Sequence, residues 1–322
     1  MKKLLALILA LVLSVGTCLA LTSCNNDNDG KKYKIGICQL VEHVALDAAT
    51  EGFKQAIIDE LGEDAVEFDF QNAQNDINTC STIINQFVSN NVDLIMANAT
   101  PALQSAASAT DTIPILGTSV TEYGVALEIE NFSGTVGGNV SGTSDLAPLD
   151  KQAQMILDWC PDAKKVGLLY CSKELNSEYQ VAVVKAELEK KNVEAILYPF
   201  TDSNELAQIC TTAADNCDAI YVPTDNTVAE NTGIINNICE PKKIPVIAGE
   251  EGICSGCGIA TLSISYYDLG YTTGKMAVKI LKDGADISTM PIAYADKQTP
   301  KYNKDLCEAL GITPLEGYVV IE

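Results

Sequence analysis

The chain has 322 residues, of which 43 are Asp or Glu and 21 are Lys or Arg, so its formal net charge is −22 at pH 7. This acidic balance excludes nucleic acid as an expected partner, because binding to phosphates needs basic patches. The sequence contains no arginine, which argues against a bidentate clamp on a phosphate or a dicarboxylate.

The N-terminal residues predict export. Lys2 and Lys3 precede a short apolar run that ends in "LTSC", a pattern typical of a signal peptide rather than of a membrane span. The ending resembles a bacterial lipobox, so we expect cleavage after residue 23 and a lipid on Cys24. Residues 24–33 then form a polar tether at the outer face of the cell membrane. The alternative is a soluble secreted protein with an ordinary cleavage site.

Apolar runs alternate with segments of helical period in the remaining chain. The helix between the second and third runs has one apolar face, formed by Ile77, Cys80, Ile83, Ile84, Phe87 and Val88. Strands that alternate with helices predict an α/β fold with parallel sheets covered on both faces. The first four strands are "YKIGIC" (33–38), "AVEFDF" (65–70), "VDLIMA" (92–97) and "IPILGT" (113–118).

The second half of the chain repeats the strings of the first half in the same order. The matched pairs are "KIGI" and "KVGL", "NNVDLIMA" and "DNCDAIYV", and "IPILG" and "IPVIAG". Their offsets are 131, 125 and about 131 residues. The repeat predicts two similar doubly wound lobes of one topology.

Three crossings of the chain between the lobes are expected to form a hinge. The Gly-rich stretch 134–150 forms the first crossing, and the others lie near 263–266 and near Ile287. The helix predicted over 265–284 lies between the second and the third. The N-terminal lobe is therefore expected to contain 34–143 plus 267–286, and the C-terminal lobe 144–266 plus 287–322.

Polar side chains follow the strands in both lobes. In parallel sheets, ligands bind beyond the carboxyl ends of the strands. In "AIYVPTDNTV", Asp225 and Asn226 could simply cap the next helix, but four consecutive polar residues exceed what one cap needs. Two such rims that face each other across a hinge predict a closing cleft. The residues expected to line it are Gln39, Glu42, His43, Thr100, Ser119, Thr121, Ser144, Asp145, Thr224, Asp225, Asn226 and Glu250.

The strings "EHVALD", "ATPALQ", "GGNVSGTSDLAP", "YVPTDNTV" and "YYDLGYTTGKMAVKIL" occur in the order found in a known family. Together they resemble the substrate-binding lipoproteins of ABC transporters that include tryptophan-, phenylalanine- and tyrosine-binding proteins. The resemblance implies a type I periplasmic-binding-protein fold without enzymatic activity or cofactor. It also implies a monomer that delivers a small solute to a permease and its ATPase.

An amino acid suits these residue types. Its carboxylate could rest on hydroxyls and backbone N–H groups from Thr100, Ser119, Thr121 and Ser144. Its ammonium could meet Asp225, Glu250 or Glu42, and an aromatic ligand could pack on Tyr123 or Tyr170. A nucleoside or a sugar is the alternative ligand, because the fold does not fix the ligand.

The remaining candidates for chemistry are few. His43 is the only histidine, so a multi-histidine metal site is excluded, and its role is either a hydrogen bond in the cleft or a surface position at a helix start. Cys254 and Cys257 have CxxC spacing, which keeps open an exported thiol-disulfide enzyme. Because most cysteines lie inside apolar patterns, we expect them to be reduced and buried.

Overall fold

The computed structural model describes residues 32–295 and 297–321. The predicted signal peptide, Cys24 and most of the tether lie outside these residues. No helix of the described chain is long and apolar enough to cross a membrane.

Thirteen strands occur in the described residues and form two sheets. The strands of the first sheet are β1 (Tyr33–Gln39), β2 (Val66–Asn72), β3 (Leu94–Asn98), β4 (Ile115–Val120), β5 (Val140–Ser144) and β11 (Ala293–Tyr294). Those of the second are β6 (Lys165–Cys171), β7 (Glu194–Phe200), β8 (Ala219–Val222), β9 (Val246–Ala248), β10 (Ala260–Ser263), β12 (Thr299–Tyr302) and β13 (Val319–Val320).

The two sheets have equivalent topology. The first has the order β2-β1-β3-β4-β5 with β11 at its edge, and all its pairs are parallel. The second has the order β7-β6-β8-β9-β10, followed by β12, which is antiparallel to β10, and by β13. The predicted α/β class with two similar parallel-sheet lobes is therefore confirmed. The sequence pattern did not reveal the short edge strands.

Helices cover the sheets. They are α1 (Val44–Leu61), α2 (Ile77–Ser89), α3 (Thr100–Ala109), α4 (Tyr123–Ala126), α5 (Leu149–Trp159), α6 (Leu175–Lys190), α7 (Ser203–Asn216), α8 (Asn226–Glu230), α9 (Thr232–Lys242), α10 (Glu251–Cys257), α11 (Tyr266–Leu281) and α12 (Lys304–Leu310). On α2, Cys80, Ile83, Ile84 and Phe87 are buried as the periodicity predicts, whereas Ile77 is exposed.

Helix α11 comes from late in the chain but packs on α1 in the first lobe. The backbones approach closely because both helices carry glycine at the contact. A Cβ on Gly52 would lie 2.1 Å from the carbonyl oxygen of Tyr267, and one on Gly270 would lie 1.9 Å from that of Ala49. The glycines of "GYTTGK" therefore serve helix packing.

The chain crosses between the lobes after β5, between β10 and α11, and between β11 and β12. The third crossing was expected near Ile287, and this expectation is wrong. Ile287 still packs in the first lobe with Ile35 and Phe53, and β11 pairs with β5 through Ala293 and Thr143. The chain enters the second sheet only after Tyr294.

Ten cysteines in the described part of the chain are free thiols, and all ten are buried. They lie in the apolar cores of the two lobes; Cys38 and Cys80, for example, are fully buried in the core of the first lobe. This agrees with the expectation of reduced cysteines that pack as small hydrophobic side chains.

Candidate functional site

A small cavity lies between the two lobes beside the first two crossings. Both lobes contribute side chains to its wall. The lining residues are His43, Leu46, Ser119, Thr121, Asp145, Asn176, Thr224, Asp225, Asn226, Ala229, Glu250 and Tyr266. The cavity therefore lies beyond the carboxyl ends of the strands, where the sequence predicts a cleft.

The first lobe contributes hydroxyl groups from the end of β4. The register between β4 and β5 shifts between Gly117 and Val120, and Ser119 lies within this irregularity with φ +54°. A serine rarely adopts this left-handed conformation, so its cost must be offset by the surrounding structure. Ser119 Oγ is buried without a protein partner and lines the cavity.

Asp145 lies in the first crossing and is 4% exposed. Its Oδ2 accepts a hydrogen bond of 2.9 Å from the hydroxyl of Tyr266. Tyr266 is the first residue of α11 and follows the second crossing. Burial raises the pKa of Asp145, while the bond from Tyr266 lowers it. Its Oδ1 is buried without a protein partner. One carboxylate oxygen therefore ties two hinge segments together, and the other is left for a donor in the cavity.

The second lobe contributes two carboxylates that cap helices. Asp225 accepts from the backbone N–H of Val228 at 2.9 Å, which caps α8, and from that of Cys171 at 2.7 Å. Glu250 accepts from the backbone N–H groups of Gly252 and Ile253 and caps α10. The simple capping role considered for Asp225 is thus real, and its side chain also lines the cavity.

These acidic groups retain their protons more strongly than exposed carboxyls do. Burial, followed by the nearby Glu174, raises the pKa of Asp225 to about 8. Burial is also the main cause that raises the pKa of Glu250 to about 7. The lining residues include Asp145 as a third acid but no lysine. A cationic ligand would therefore find several carboxylates and no competing cation.

Glu174 lies just behind the cavity wall and is 4% exposed. Its Oε2 accepts from the backbone N–H of Asn226 at 3.0 Å and from the amide Nδ2 of the same residue at 2.6 Å. Its Oε1 accepts from the backbone N–H of Thr227 at 2.9 Å and from Thr227 Oγ1 at 2.8 Å. Asn226 and Thr227 in turn bond to His43 and Asn75 of the first lobe.

Eight of the twelve predicted site residues line the cavity: His43, Ser119, Thr121, Asp145, Thr224, Asp225, Asn226 and Glu250. Because His43 also bonds to Asn226 across the cleft at 3.3 Å, the cleft role predicted for it fits better than a surface role. Burial lowers its pKa and favours the neutral ring.

Four predicted residues lie outside the cavity wall. Gln39 is buried beneath α1, where its side chain bonds to Asp47 at 2.6 Å and to Thr50 at 2.6 Å. Thr100 is buried at the start of α3. Ser144 donates to the backbone carbonyl of Thr121 at 2.7 Å and so fixes the first crossing. Glu42 is exposed and lines a larger surface groove next to the cavity.

Asn176, Tyr266 and Glu174 were missed by the sequence interpretation. The internal repeat could have revealed two of them, because the segment after β6 is equivalent to "QLVEH" after β1. This segment contains Glu174, and Asn176 follows in the first turn of α6. Tyr266 lies at a predicted crossing but had no role there. The prediction that Tyr123 or Tyr170 packs on an aromatic ligand is wrong, because both side chains are buried in the lobe cores. The tyrosine that lines the cavity is Tyr266.

The Cys254 and Cys257 pair does not fit thiol-disulfide chemistry. Both residues lie on α10 and are 0% and 3% exposed. Burial raises the pKa of both thiols. Reactive cysteines need an accessible sulfur and a stabilised thiolate, and these two have neither.

Comparison with known proteins agrees with this geometry. The sequence model of the family described as ABC transporter substrate binding protein matches residues 34–320. A tyrosine-binding protein of Clostridioides difficile is 38% identical over 333 residues, with 98% of this chain and 94% of the relative covered.

Two solved structures are similar to different degrees. An ABC domain from Streptococcus pneumoniae in complex with L-Trp is 33% identical with a TM-score of 0.85, covering 90% of this chain and 100% of that chain. The ligand-free, open structure of a substrate-binding protein with adhesive properties from Clostridium difficile is 40% identical, but its TM-score is 0.69, covering 90% and 99%. A closed arrangement of the lobes in the present structure explains why the more identical sequence is the less similar shape. The fold is of the type I periplasmic-binding-protein kind, and the chain belongs to the ABC transporter substrate-binding protein family.

Proposed function

We propose that this protein binds an aromatic amino acid, tyrosine or tryptophan, between its lobes and delivers it to an ABC permease. One observation carries the ligand class. Of the six buried side-chain polar atoms without a partner in residues 32–295 and 297–321, three belong to residues that line the cavity: Ser119 Oγ, Asp145 Oδ1 and Asn176 Oδ1. A buried polar atom without a partner costs about 1–3 kcal/mol, so a ligand that pairs all three gains affinity.

The chemistry of these atoms defines the ligand. Asp145 Oδ1 and Asn176 Oδ1 are acceptors and need a donor, which the ammonium of an amino acid supplies. Asp225 and Glu250 add two carboxyl groups to the same wall, and a bound ammonium favours their ionised forms. The Ser119 hydroxyl is then the donor for the ligand carboxylate.

The ligand side chain needs an apolar wall. Leu46, Ala229 and the ring of Tyr266 supply it in the same cavity. An aromatic ring packs well on another ring and on aliphatic side chains. The tyrosine-binding relative and the L-Trp complex support an aromatic side chain in particular.

The ligand class is tested by a binding screen on residues 25–322, from which bound solute has first been removed by partial unfolding. The melting temperature is measured with each amino acid, several nucleosides and several sugars. A ligand at 100 times its Kd stabilises the protein by about 2.7 kcal/mol, which shifts the melting temperature visibly. We expect stabilisation by tyrosine or tryptophan. Stabilisation by a sugar or nucleoside alone would contradict the ligand class, and no stabilisation by any solute would contradict the binding function.

We further propose that the protein is extracytoplasmic and anchored by a lipid on Cys24. The basic start, the apolar run and the "LTSC" ending support this proposal, and so does the family, whose members act outside the cytoplasm. Cell fractionation of the full chain and of Cys24→Ser tests it. The wild-type chain should sediment with membranes and the variant should not; equal distribution of the two would contradict the anchor.

A further inference from the structure

Two side-chain hydrogen bonds span the cleft away from the hinge. His43 Nε2 lies 3.3 Å from Asn226 Oδ1, and Asn75 Nδ2 donates to Thr227 Oγ1 at 3.1 Å. His43 and Asn75 belong to the first lobe, and Asn226 and Thr227 are neighbours in α8 of the second. These bonds can form only when the lobes are close together.

Both receiving side chains are oriented by one carboxylate. Oε1 of Glu174 accepts two hydrogen bonds from Thr227, at 2.9 and 2.8 Å. Oε2 accepts two from Asn226, at 3.0 and 2.6 Å, and a third from Asn176 Nδ2, at 3.2 Å. Short hydrogen bonds to a carboxyl group of this kind fix the orientation of their donors. Glu174 itself does not line the cavity.

The direction of these hydrogen bonds determines which atoms of Asn226 and Thr227 face the first lobe. Because the amide nitrogen of Asn226 donates to Glu174, its Oδ1 faces His43 and requires a donor there. Because the single hydroxyl proton of Thr227 is donated to Glu174, the oxygen is free to accept from Asn75. Glu174 therefore presents two acceptors to the opposite lobe.

In the first lobe, a tight backbone turn holds Asn75 opposite Thr227. Gln74 and Asn75 are consecutive residues in the left-handed region, with φ of +53° and +60°. Asparagine tolerates this conformation better than most residues. The backbone N–H of Asn75 donates to the carbonyl of Leu40 at 2.8 Å, which holds the turn in place. The Asn75 side chain lines neither the cavity nor the adjacent groove.

We infer that Glu174 is a positioning residue for lobe closure: it orients Asn226 and Thr227 as acceptors for His43 and Asn75 and so stabilises the closed form around the ligand. The inference rests on the proposed binding function for its ligand readout. A residue that stabilises only the closed state raises the apparent affinity without touching the ligand. It acts mainly on the dissociation rate, since the open form meets the ligand.

The test is a double-mutant cycle on the affinity for L-tyrosine, measured by calorimetry on Glu174→Gln, Asn75→Ala and the double variant. Glutamine replaces one carboxylate oxygen with an NH2 group, so the N–H groups of either Asn226 or Thr227 lose their acceptor and meet a donor instead. We expect each single variant to bind about tenfold more weakly with a faster dissociation rate and an unchanged association rate. The double variant should be little worse than Glu174→Gln, because both changes break one network.

The controls are Glu178→Gln, one turn later on the exposed face of α6, and Asn85→Ala on the exposed face of α2. Both should bind as the wild type does. Additive losses in the double variant, or an unchanged affinity of Asn75→Ala, would overturn the inference. Asn75→Ala also decides the case if Glu174→Gln fails to fold, because Asn75 lies in a half-buried turn of the other lobe.

X-ray scattering separates this inference from the proposed function. If none of the amino acids, nucleosides and sugars binds to the wild type, the proposed function fails. The positioning role is then tested by the radius of gyration of the purified protein without added ligand. Glu174→Gln should then increase the radius of gyration toward an open form, and Glu178→Gln should not. An unchanged radius in Glu174→Gln would overturn the positioning role.

Discussion

The two lobes have the same strand order but offer the cleft different chemistry. The first lobe presents neutral groups, namely the hydroxyls of Ser119 and Thr121 and the imidazole of His43. The second presents Asp225 and Glu250, and it holds Glu174 behind Asn226 and close to Asp225. A duplicated topology therefore fixes where the strand ends meet and leaves each lobe free to supply its own half of the recognition.

The difference extends to how the groups are held. Asp225 and Glu250 each accept two backbone N–H groups and cap short helices, so their oxygens are fixed before any ligand arrives. Ser119 Oγ has no protein partner and is held by an unusual backbone conformation instead. The second lobe therefore supplies rigidly held carboxyl groups, and the first supplies the Ser119 hydroxyl, which has no partner in the protein.

The largest expected effect comes from Asp145, where the two halves meet at the hinge. Asp145→Asn keeps an oxygen for the Tyr266 hydroxyl and removes the charge that faces the ligand. We expect a loss of about 2–4 kcal/mol in binding free energy for tyrosine, measured by calorimetry. Asp150→Asn, an exposed change in α5, is the control. Wild-type affinity in Asp145→Asn would remove this carboxylate from the site.

Asp225→Ala tests the structural side of the acidic lobe. The change leaves the backbone N–H groups of Cys171 and Val228 without their buried acceptor. We expect the free energy of unfolding of the ligand-free protein to fall by about 2–3 kcal/mol in urea titrations. An unchanged unfolding midpoint would show that this carboxylate does not stabilise the second lobe.

The raised carboxyl pKa values predict a dependence on pH. The pKa values in the folded protein, about 8 for Asp225 and about 7 for Glu250, lie above the ordinary values of about 4. At pH values between the ordinary and the raised pKa, the folded protein therefore binds more protons than the unfolded chain does. The ligand-free protein should therefore lose stability as pH rises from about 4 to 8.

A bound ammonium favours the ionised carboxylates, so the same groups make affinity rise with pH. We expect tyrosine to bind about tenfold more tightly at pH 8 than at pH 6, since the release of one proton changes affinity tenfold per pH unit at most. Melting curves and calorimetry across this range check both trends. Glu250→Gln should flatten them, and trends of the opposite sign would contradict the acidic site.

Ser119→Ala gives the smallest effect and probes the neutral lobe. The change removes a buried hydroxyl without a protein partner, so the ligand-free protein should keep its stability or gain about 1 kcal/mol. The affinity for tyrosine should fall by about 0.5–1.5 kcal/mol, the usual contribution of one hydrogen bond. A large loss of stability without ligand would show that the hydroxyl serves the fold.

The sequence predicted the repeated parts of the fold because apolar period and strand order are local signals that occur twice. The strands from Tyr33 to Val120 lie close to their predicted positions. The third crossing was misplaced because β11 is a two-residue edge strand whose place depends on pairing with β5 rather than on its own apolar pattern.

In the site, too, the residues set by local sequence signals were predicted and those set by long-range contacts were not. Side chains directly after strands, such as Asp225 and Thr121, were found because their position follows from the sheet. Glu174 and Tyr266 were not found because their roles depend on contacts with residues distant in the sequence. Gln39 and Ser144 were predicted to line the cleft but bond within their own lobe or crossing, since a strand-end position does not fix where a side chain points.

Recognition of the ammonium group is tested by comparing the binding of L-tyrosine with that of 3-(4-hydroxyphenyl)propionate, which lacks only the amino group. Calorimetry on the same preparation gives both affinities. If the carboxylates of the hinge and of the second lobe recognise the ammonium, the analogue should bind at least about 100-fold more weakly, because the buried acids lose their cation. Equal affinity for the two compounds would show that the cleft does not recognise the amino group of its ligand.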